Sequence, residues 1–138
     1  MLPKRVYAKI NLDNIQHNIN TVKSRLPEGT EIMGIVKANS YGHGSITVSQ
    51  FLQEIGVSYF GVASVDEAVE LRNNGITGSI LVLGELFKEN ALKAVKNNVD
   101  CTVANLETAK HLSAVATSIG KKAKIHIKID TGMGRIGF

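Results

Sequence analysis

The sequence predicts an α/β fold with a parallel sheet. Short apolar, β-branched runs alternate with amphipathic segments at helical spacing, and the connections between them are short. Such alternation implies right-handed crossovers. The third observation is a count: five strand units follow from residue 32 onward, whereas a complete eight-unit barrel takes about 250 residues. A flavodoxin-like open sheet and the N-terminal portion of a (β/α)8 TIM-type barrel, incomplete in this chain, both fit that count. The barrel portion is preferred, because a sheet that stops on an uncovered strand leaves an exposed edge.

Residues 6–12 alternate as a half-buried strand does. Asp13 then reads as an N-cap, with Gln16 completing a capping box. Ile15, Ile19, Val22 and Leu26 follow at helical spacing until Pro27 and Gly29 stop the helix. The run from Ile32 to Val36 is a buried strand closed by Lys37. A helix around residues 45–55 sets Val48, Phe51, Leu52 and Ile55 on one face, with Gly56 past its end. Tyr59 to Ala63 reads as a strand, and Ser64 with Glu67 forms a second capping box for a helix ending near Asn74 and Gly75. Ser79 to Gly84 is the next strand, followed by a helix over about 88–97 with Ala91, Leu92 and Val95 inward. Val99 to Val103 is a short strand. Asn105 caps a helix carrying Leu106, Ala109, Leu112 and Ala116, and Ala123 to Ile129 is the fifth strand. There is no low-complexity linker and no repeat beyond this rhythm.

Composition narrows the class. At 138 residues with 43% apolar content the chain builds one real core, with no room for a second full domain. Its start, Met-Leu-Pro-Lys-Arg, lacks the apolar segment of a leader, and no stretch approaches a membrane span, so a cytoplasmic protein is expected. Cys101 is the only cysteine, which excludes an internal disulfide and reads as a small buried apolar residue. The net charge of +4 comes from scattered residues; only Lys121-Lys122-Ala123-Lys124 is locally basic, and aromatics are 5%. Nucleic-acid binding is therefore not expected. His17, His43, His111 and His126 have no metal-ligand spacing and are assigned structural or surface roles.

Chemistry concentrates in two stretches. Lys37 closes an apolar strand just before a glycine-punctuated turn, the place where barrel and sheet enzymes build their sites. A free lysine amine attacks a carbonyl to form a Schiff base. A lysine snorkelling into solvent at a strand end fits that one position as well. The second stretch, Lys124 to Asp130, alternates strictly, with Lys124, His126, Lys128 and Asp130 on one face and three isoleucines on the other. An inward polar stripe lining a site, with the isoleucines packed on helices, and a solvated edge both fit this pattern. Gly132, Gly134 and Gly137 then spell G-x-G-x-x-G, but the helix and acidic residue of a dinucleotide fingerprint do not follow.

The run Val36-Lys37-Ala38-Asn39-Ser40-Tyr41-Gly42-His43-Gly44 closely resembles the pyridoxal-phosphate (PLP) lysine motif of alanine racemases, where alanine is commoner at the place of Ser40. Ala8-Lys9-Ile10-Asn11-Leu12-Asp13-Asn14-Ile15 with Asn18 resembles the family's opening. His126-Ile127-Lys128-Ile129-Asp130-Thr131-Gly132-Met133-Gly134-Arg135-Ile136-Gly137 is similar to its second motif. The resemblance implies that residues 1–138 are part of a PLP-binding barrel domain, without the C-terminal β domain of intact members. It implies that Lys37 is catalytic and carries pyridoxal 5'-phosphate as a Schiff base. It makes Tyr41 a phosphate ligand, Arg135 a ligand of both cofactor and substrate carboxylate, and Lys128 a candidate for carbamylation beside Arg135. The implied activity is interconversion of L- and D-alanine by a homodimer, supplying D-alanine for cell-wall peptidoglycan. The second acid/base group is implied to be a tyrosine of the partner subunit's β domain; Tyr7, Tyr41 and Tyr59 do not match its motif. A racemase of broader substrate range, another barrel-fold PLP enzyme and a non-catalytic PLP-binding fragment are the alternatives.

Overall fold

The computed structural model describes residues 6–138. The expectation drawn from residues 1–5 lies outside them. The chain divides into two compact units, one up to Thr30 and one spanning Glu31–Phe138.

In the first unit, helix α1 spans Leu12–Lys23. Its N-cap is Asn11, not Asp13 as expected: Asn11 Oδ1 accepts from the Asp13 N–H at 2.9 Å and the Asn14 N–H at 3.4 Å. Asp13 instead sits in the first turn, where its carboxylate complements the helix dipole. The strand expected over residues 6–12 does not form: residues 6–11 carry no regular structure, and Val6 and Tyr7 are exposed. Alternation yields a strand only where a neighbouring edge supplies backbone partners, and residues 6–11 pair with none of the described strands.

The second unit holds five parallel strands, β1 (Met33–Ile35), β2 (Tyr59–Val62), β3 (Ser79–Val82), β4 (Asp100–Val103) and β5 (Ile125–Ile127), in the order β1-β2-β3-β4-β5. Gly34 pairs with Phe60, Phe60 with Ile80, Leu81 with Asp100, and Thr102 with His126. The crossovers carry α2 (Lys37–Tyr41) and α3 (Ser45–Glu54), then α4 (Val65–Asn73), then a 3₁₀ turn with α5 (Ala91–Lys96), then α6 (Leu106–Ser118). This sequential order separates the two sheets that the sequence leaves open. A flavodoxin-like sheet runs 2-1-3-4-5 and reverses at a switch point. Here every connection advances one strand in the same direction, so crossovers of one hand place all the covering helices on one face. Successive barrel units are arranged in this way.

The core lies between that face and the helices. Phe60, Val62, Ile80, Val82, Cys101 and Val103 of the strands are buried, as are Leu52 of α3, Ala68 and Leu71 of α4, Ala91, Ala94 and Val95 of α5, and Leu112 and Ala116 of α6. Each large aliphatic buried there contributes about 1.5–3 kcal/mol. A Cβ on Gly34 would stand 2.8 Å from Leu52 Cδ1, so with glycine there the Leu52 side chain of α3 lies directly on β1. Cys101 behaves as the small apolar residue expected: burial, then the neighbouring Asp100 charge, push its thiol up to about 11.

Three expectations are corrected. Leu92 is exposed, because the inward face of the six-residue α5 is set by Ala91, Ala94 and Val95. Leu106 is exposed in the first turn of α6. The three isoleucines of the fifth strand are 43%, 65% and 60% exposed instead of packed on helices. Strand β5 is the sheet edge, α6 buries Leu112 and Ala116 ahead of it, and no helix follows it among the described residues.

Candidate functional site

After β1 the chain passes through the buried Val36 to the half-buried Lys37 and then winds left-handed. Ala38, Asn39, Ser40 and Tyr41 have φ of 50°, 53°, 50° and 52°. Four consecutive non-glycine residues in this region cost about 1–2 kcal/mol each, so the surroundings must impose the turn. Several contacts do so. The Ser40 N–H donates to Val36 O at 3.0 Å, and the N–H groups of Gly42 and Gly44 both donate to Asn39 O at 3.0 Å. Asn39 Oδ1 accepts from the Ser45 N–H at 2.9 Å, tying the turn to the start of α3. The Ala38 N–H donates to Glu67 Oε1 at 2.9 Å. Gly42 and Gly44, both at φ +90°, release the chain into α3.

Glu67 was expected to return to Ser64 as the second half of a capping box. The box is half realised: Ser64 Oγ accepts from the Glu67 N–H at 3.2 Å. The Glu67 carboxylate instead accepts from the Ala63 N–H at 2.7 Å, beyond the end of β2, and from Ala38. Sequence reasoning missed this role. Ser-x-x-Glu marks a helix start, but nothing local signals a partner 29 residues away.

Arg135 comes from the segment after β5. Asp130 Oδ1 accepts from the N–H groups of Gly132 at 2.9 Å and Gly134 at 3.1 Å. Backbone bonds from Phe138 N–H to Lys128 O and from Asp130 N–H to Phe138 O, at 2.9 and 3.0 Å, close the loop. A Cβ on Gly137 would lie 2.5 Å from the Asp130 nitrogen, so only glycine fits there. The loop folds back on itself, its last residue bonded to the strand end from which it departs. The Gly134 and Gly132 amides hold the Asp130 carboxyl below its ordinary value.

Lys37 and Arg135 meet at one cavity of about 300 Å³, lined also by Ala63, Leu83, Gly84 and Ile136. It lies past the carboxyl ends of β1, β2 and β3, with one wall from the loop after β5. A Cβ on Gly84 would stand 2.8 Å from Ala63 O, so this wall closes only over a glycine. Tyr41 is exposed at the end of the left-handed turn and does not line the cavity. Lys128 does not line it either; it is half-buried, with its N–H donating to Val103 O at 2.9 Å. His126 Nε2 lies 3.7 Å from Oδ2 of the buried Asp100. His43 Nδ1 is 2.9 Å from Ser40 O, and His111 Nε2 is 3.2 Å from Lys88 O.

Residues 10–138 match the family model described as alanine racemase, N-terminal domain. The chain belongs to this family. It is 48% identical over 99% of its length to alanine racemase 2 of Caldanaerobacter subterraneus subsp. tengcongensis, of which it covers 34%. The solved alanine racemase of Clostridium difficile 630 superposes with a TM-score of 0.91 at 46% identity, covering 94% of this chain and 34% of that one. A histidine racemase from Leuconostoc mesenteroides subsp. sake also matches, with a TM-score of 0.84 at 31% identity over 92% of this chain and 34% of its own. The chain thus spans about a third of the length of these relatives. The alanine racemase N-terminal domain is accordingly its fold: a parallel α/β sheet with the lysine turn after the first strand.

Proposed function

We propose that the chain is the N-terminal part of a PLP-dependent alanine racemase, with Lys37 carrying the cofactor and acting as one of two proton-transfer groups. The observation that carries this reading is the shared cavity of Lys37 and Arg135 past the carboxyl ends of parallel strands. The residues present fit pyridoxal phosphate: an amine that bonds an aldehyde, a guanidinium for an anionic oxygen, and a cavity at the small end of the ligand-site range. When bound, PLP supplies an electron sink for the carbanion left at the α-carbon.

The chain's own residues then divide the work. Lys37 Nζ takes a proton from, or returns one to, the α-carbon on its own side of the substrate plane. Arg135 orients the substrate carboxylate through its planar fork of donors. Tyr41 is assigned the cofactor phosphate. Lys128 is assigned a carbamate that pairs with Arg135: its amine adds to carbon dioxide and loses a proton, which turns a neighbouring cation into an anion. The opposite face needs a second acid/base group, assigned to a partner subunit and a further β domain. The whole protein is read as a cytoplasmic homodimer that interconverts L- and D-alanine for peptidoglycan synthesis.

Reduction of a PLP-treated sample with borohydride, followed by peptide mapping, is expected to find the pyridoxyl label on Lys37. Absence of label from that residue in folded protein refutes the reading in favour of a non-catalytic fragment. The 138-residue chain alone is expected to leave alanine enantiomers unconverted, and robust racemisation by pure chain would overturn the need for a second subunit. A racemase of broader range is the second reading, favoured by the histidine racemase among the structural matches. Product analysis on alanine and histidine with the full-length protein separates the two.

A further inference from the structure

We propose that Glu67 is a positioning residue for Lys37, its carboxylate clamping the ends of the first two strands across the cavity wall. This rests on the function proposed above. Glu67 stands at the third helical position of α4, half-buried, and its two oxygens reach two different chain segments. Oε1 takes the N–H of Ala38, the residue after Lys37, and Oε2 takes the N–H of Ala63, itself a cavity-lining residue.

An ionised carboxylate only accepts, with both oxygens equivalent, so it satisfies two converging N–H donors at once. Such charge-assisted bonds are stronger than neutral ones. Their placement matters because Ala38 is where the backbone reverses hand. In a left-handed segment of non-glycine residues, relaxation toward right-handed φ is downhill. Anchoring the first N–H of the turn to a helix in the next crossover opposes that relaxation and fixes the direction in which the Lys37 side chain departs. Ser64 caps α4 independently, through the Glu67 N–H, so helix capping and strand clamping are separable.

Glu67→Gln keeps the size, the helix and the Ser64 cap, but turns an NH2 group toward one of the two N–H donors. In the full chain, backbone amide exchange of Ala38 or Ala63 is expected to accelerate at least about tenfold, a loss of about 1.4 kcal/mol of protection. Phe60 and Ile80 amides stay unchanged. The rate of pyridoxyl labelling at Lys37 under PLP and borohydride falls by a similar factor. Ser64→Ala, which removes the cap alone, is expected to leave both readouts within about twofold of wild type.

Exchange and labelling in Glu67→Gln that match wild type overturn the proposal, as does Ser64→Ala slowing the labelling equally. Should Glu67→Gln fail to fold, the wild-type Ala38 amide decides: it is expected to be protected like a ladder amide, and free exchange there overturns the clamp. If wild type takes no label on Lys37 while Ala38 and Ala63 exchange as stated, the proposed function fails and the clamp stands. Equal labelling of wild type and Glu67→Gln leaves the function standing and sinks the clamp.

Discussion

Asp130 Oδ1 accepts hydrogen bonds from Gly132 and Gly134, the glycines on either side of Met133, and so shapes the loop that delivers Arg135 to the Lys37 cavity. Those amides favour the ionised carboxyl and lower its folded-state pKa. The linkage sign follows: the stabilisation is fully present above the unfolded pKa of about 3.9 and disappears as pH falls through the lower folded value. A carboxyl NMR titration is expected to place the Asp130 midpoint below the ordinary aspartate value. Asp130→Ala should raise amide exchange at Gly134 and weaken anion binding at Arg135. A midpoint at or above the ordinary value contradicts this account of the loop.

Gly84 gives a steric test of the same cavity. A Cβ there would approach Ala63 O to 2.8 Å, and backbone cannot retreat as a flexible side chain can. Gly84→Ala is expected to destabilise by about 1–3 kcal/mol and to lower Lys37 labelling, since Ala63 lines the cavity and is tied to Glu67. Urea midpoints and labelling rates read the two effects. An unchanged midpoint would mean that this wall has slack.

Arg72 holds the opposite end of the second unit together. Its Nη1 donates to Ile76 O at 2.7 Å and Gly78 O at 2.6 Å, Nη2 to Asn98 O at 2.9 Å, and Nε to Asn97 O at 3.2 Å. One planar fork thus satisfies carbonyls from the loops before β3 and β4. Arg72→Lys keeps the charge but not the fork, and is expected to cost about 1–3 kcal/mol in chemical denaturation. A loss under a few tenths would show that water replaces the fork.

The strand and helix rhythm was legible because the buried strands are short apolar runs and most helices carry a cap or a glycine stop, as at Ser64, Asn105, Gly56 and Gly120. Lys37 and Arg135 were legible as a pair only through their motifs. Spacing cannot bring together residues separated by the four strands between them. What stayed hidden depends on three-dimensional context. Asn11 and Asp13 are both good caps, and backbone geometry chose the first. The β5 isoleucines follow the right alternation, but an edge strand has too few neighbours to bury them. The left-handed turn was invisible because Gly42 and Gly44 announce positive φ only past its end, and of Ala38 to Tyr41 only Asn39 tolerates it readily.

That turn makes a prediction whose sign is unusual. In a right-handed helix, replacing an exposed alanine by glycine costs about 1 kcal/mol. Ala38 is exposed with φ of 50°, where an L side chain costs about 1–2 kcal/mol that glycine avoids. The greater freedom of glycine in the unfolded chain takes back about 0.4–1 kcal/mol. Ala38→Gly is therefore expected to leave stability unchanged or raise it by up to about 1.6 kcal/mol, with the Glu67 bond to the residue 38 N–H retained. A urea midpoint that drops as it would for an ordinary helical alanine would show that the chain after Lys37 is wound right-handed. The imposed strain would then be absent, and with it the reason for Glu67 to hold that end of the strand.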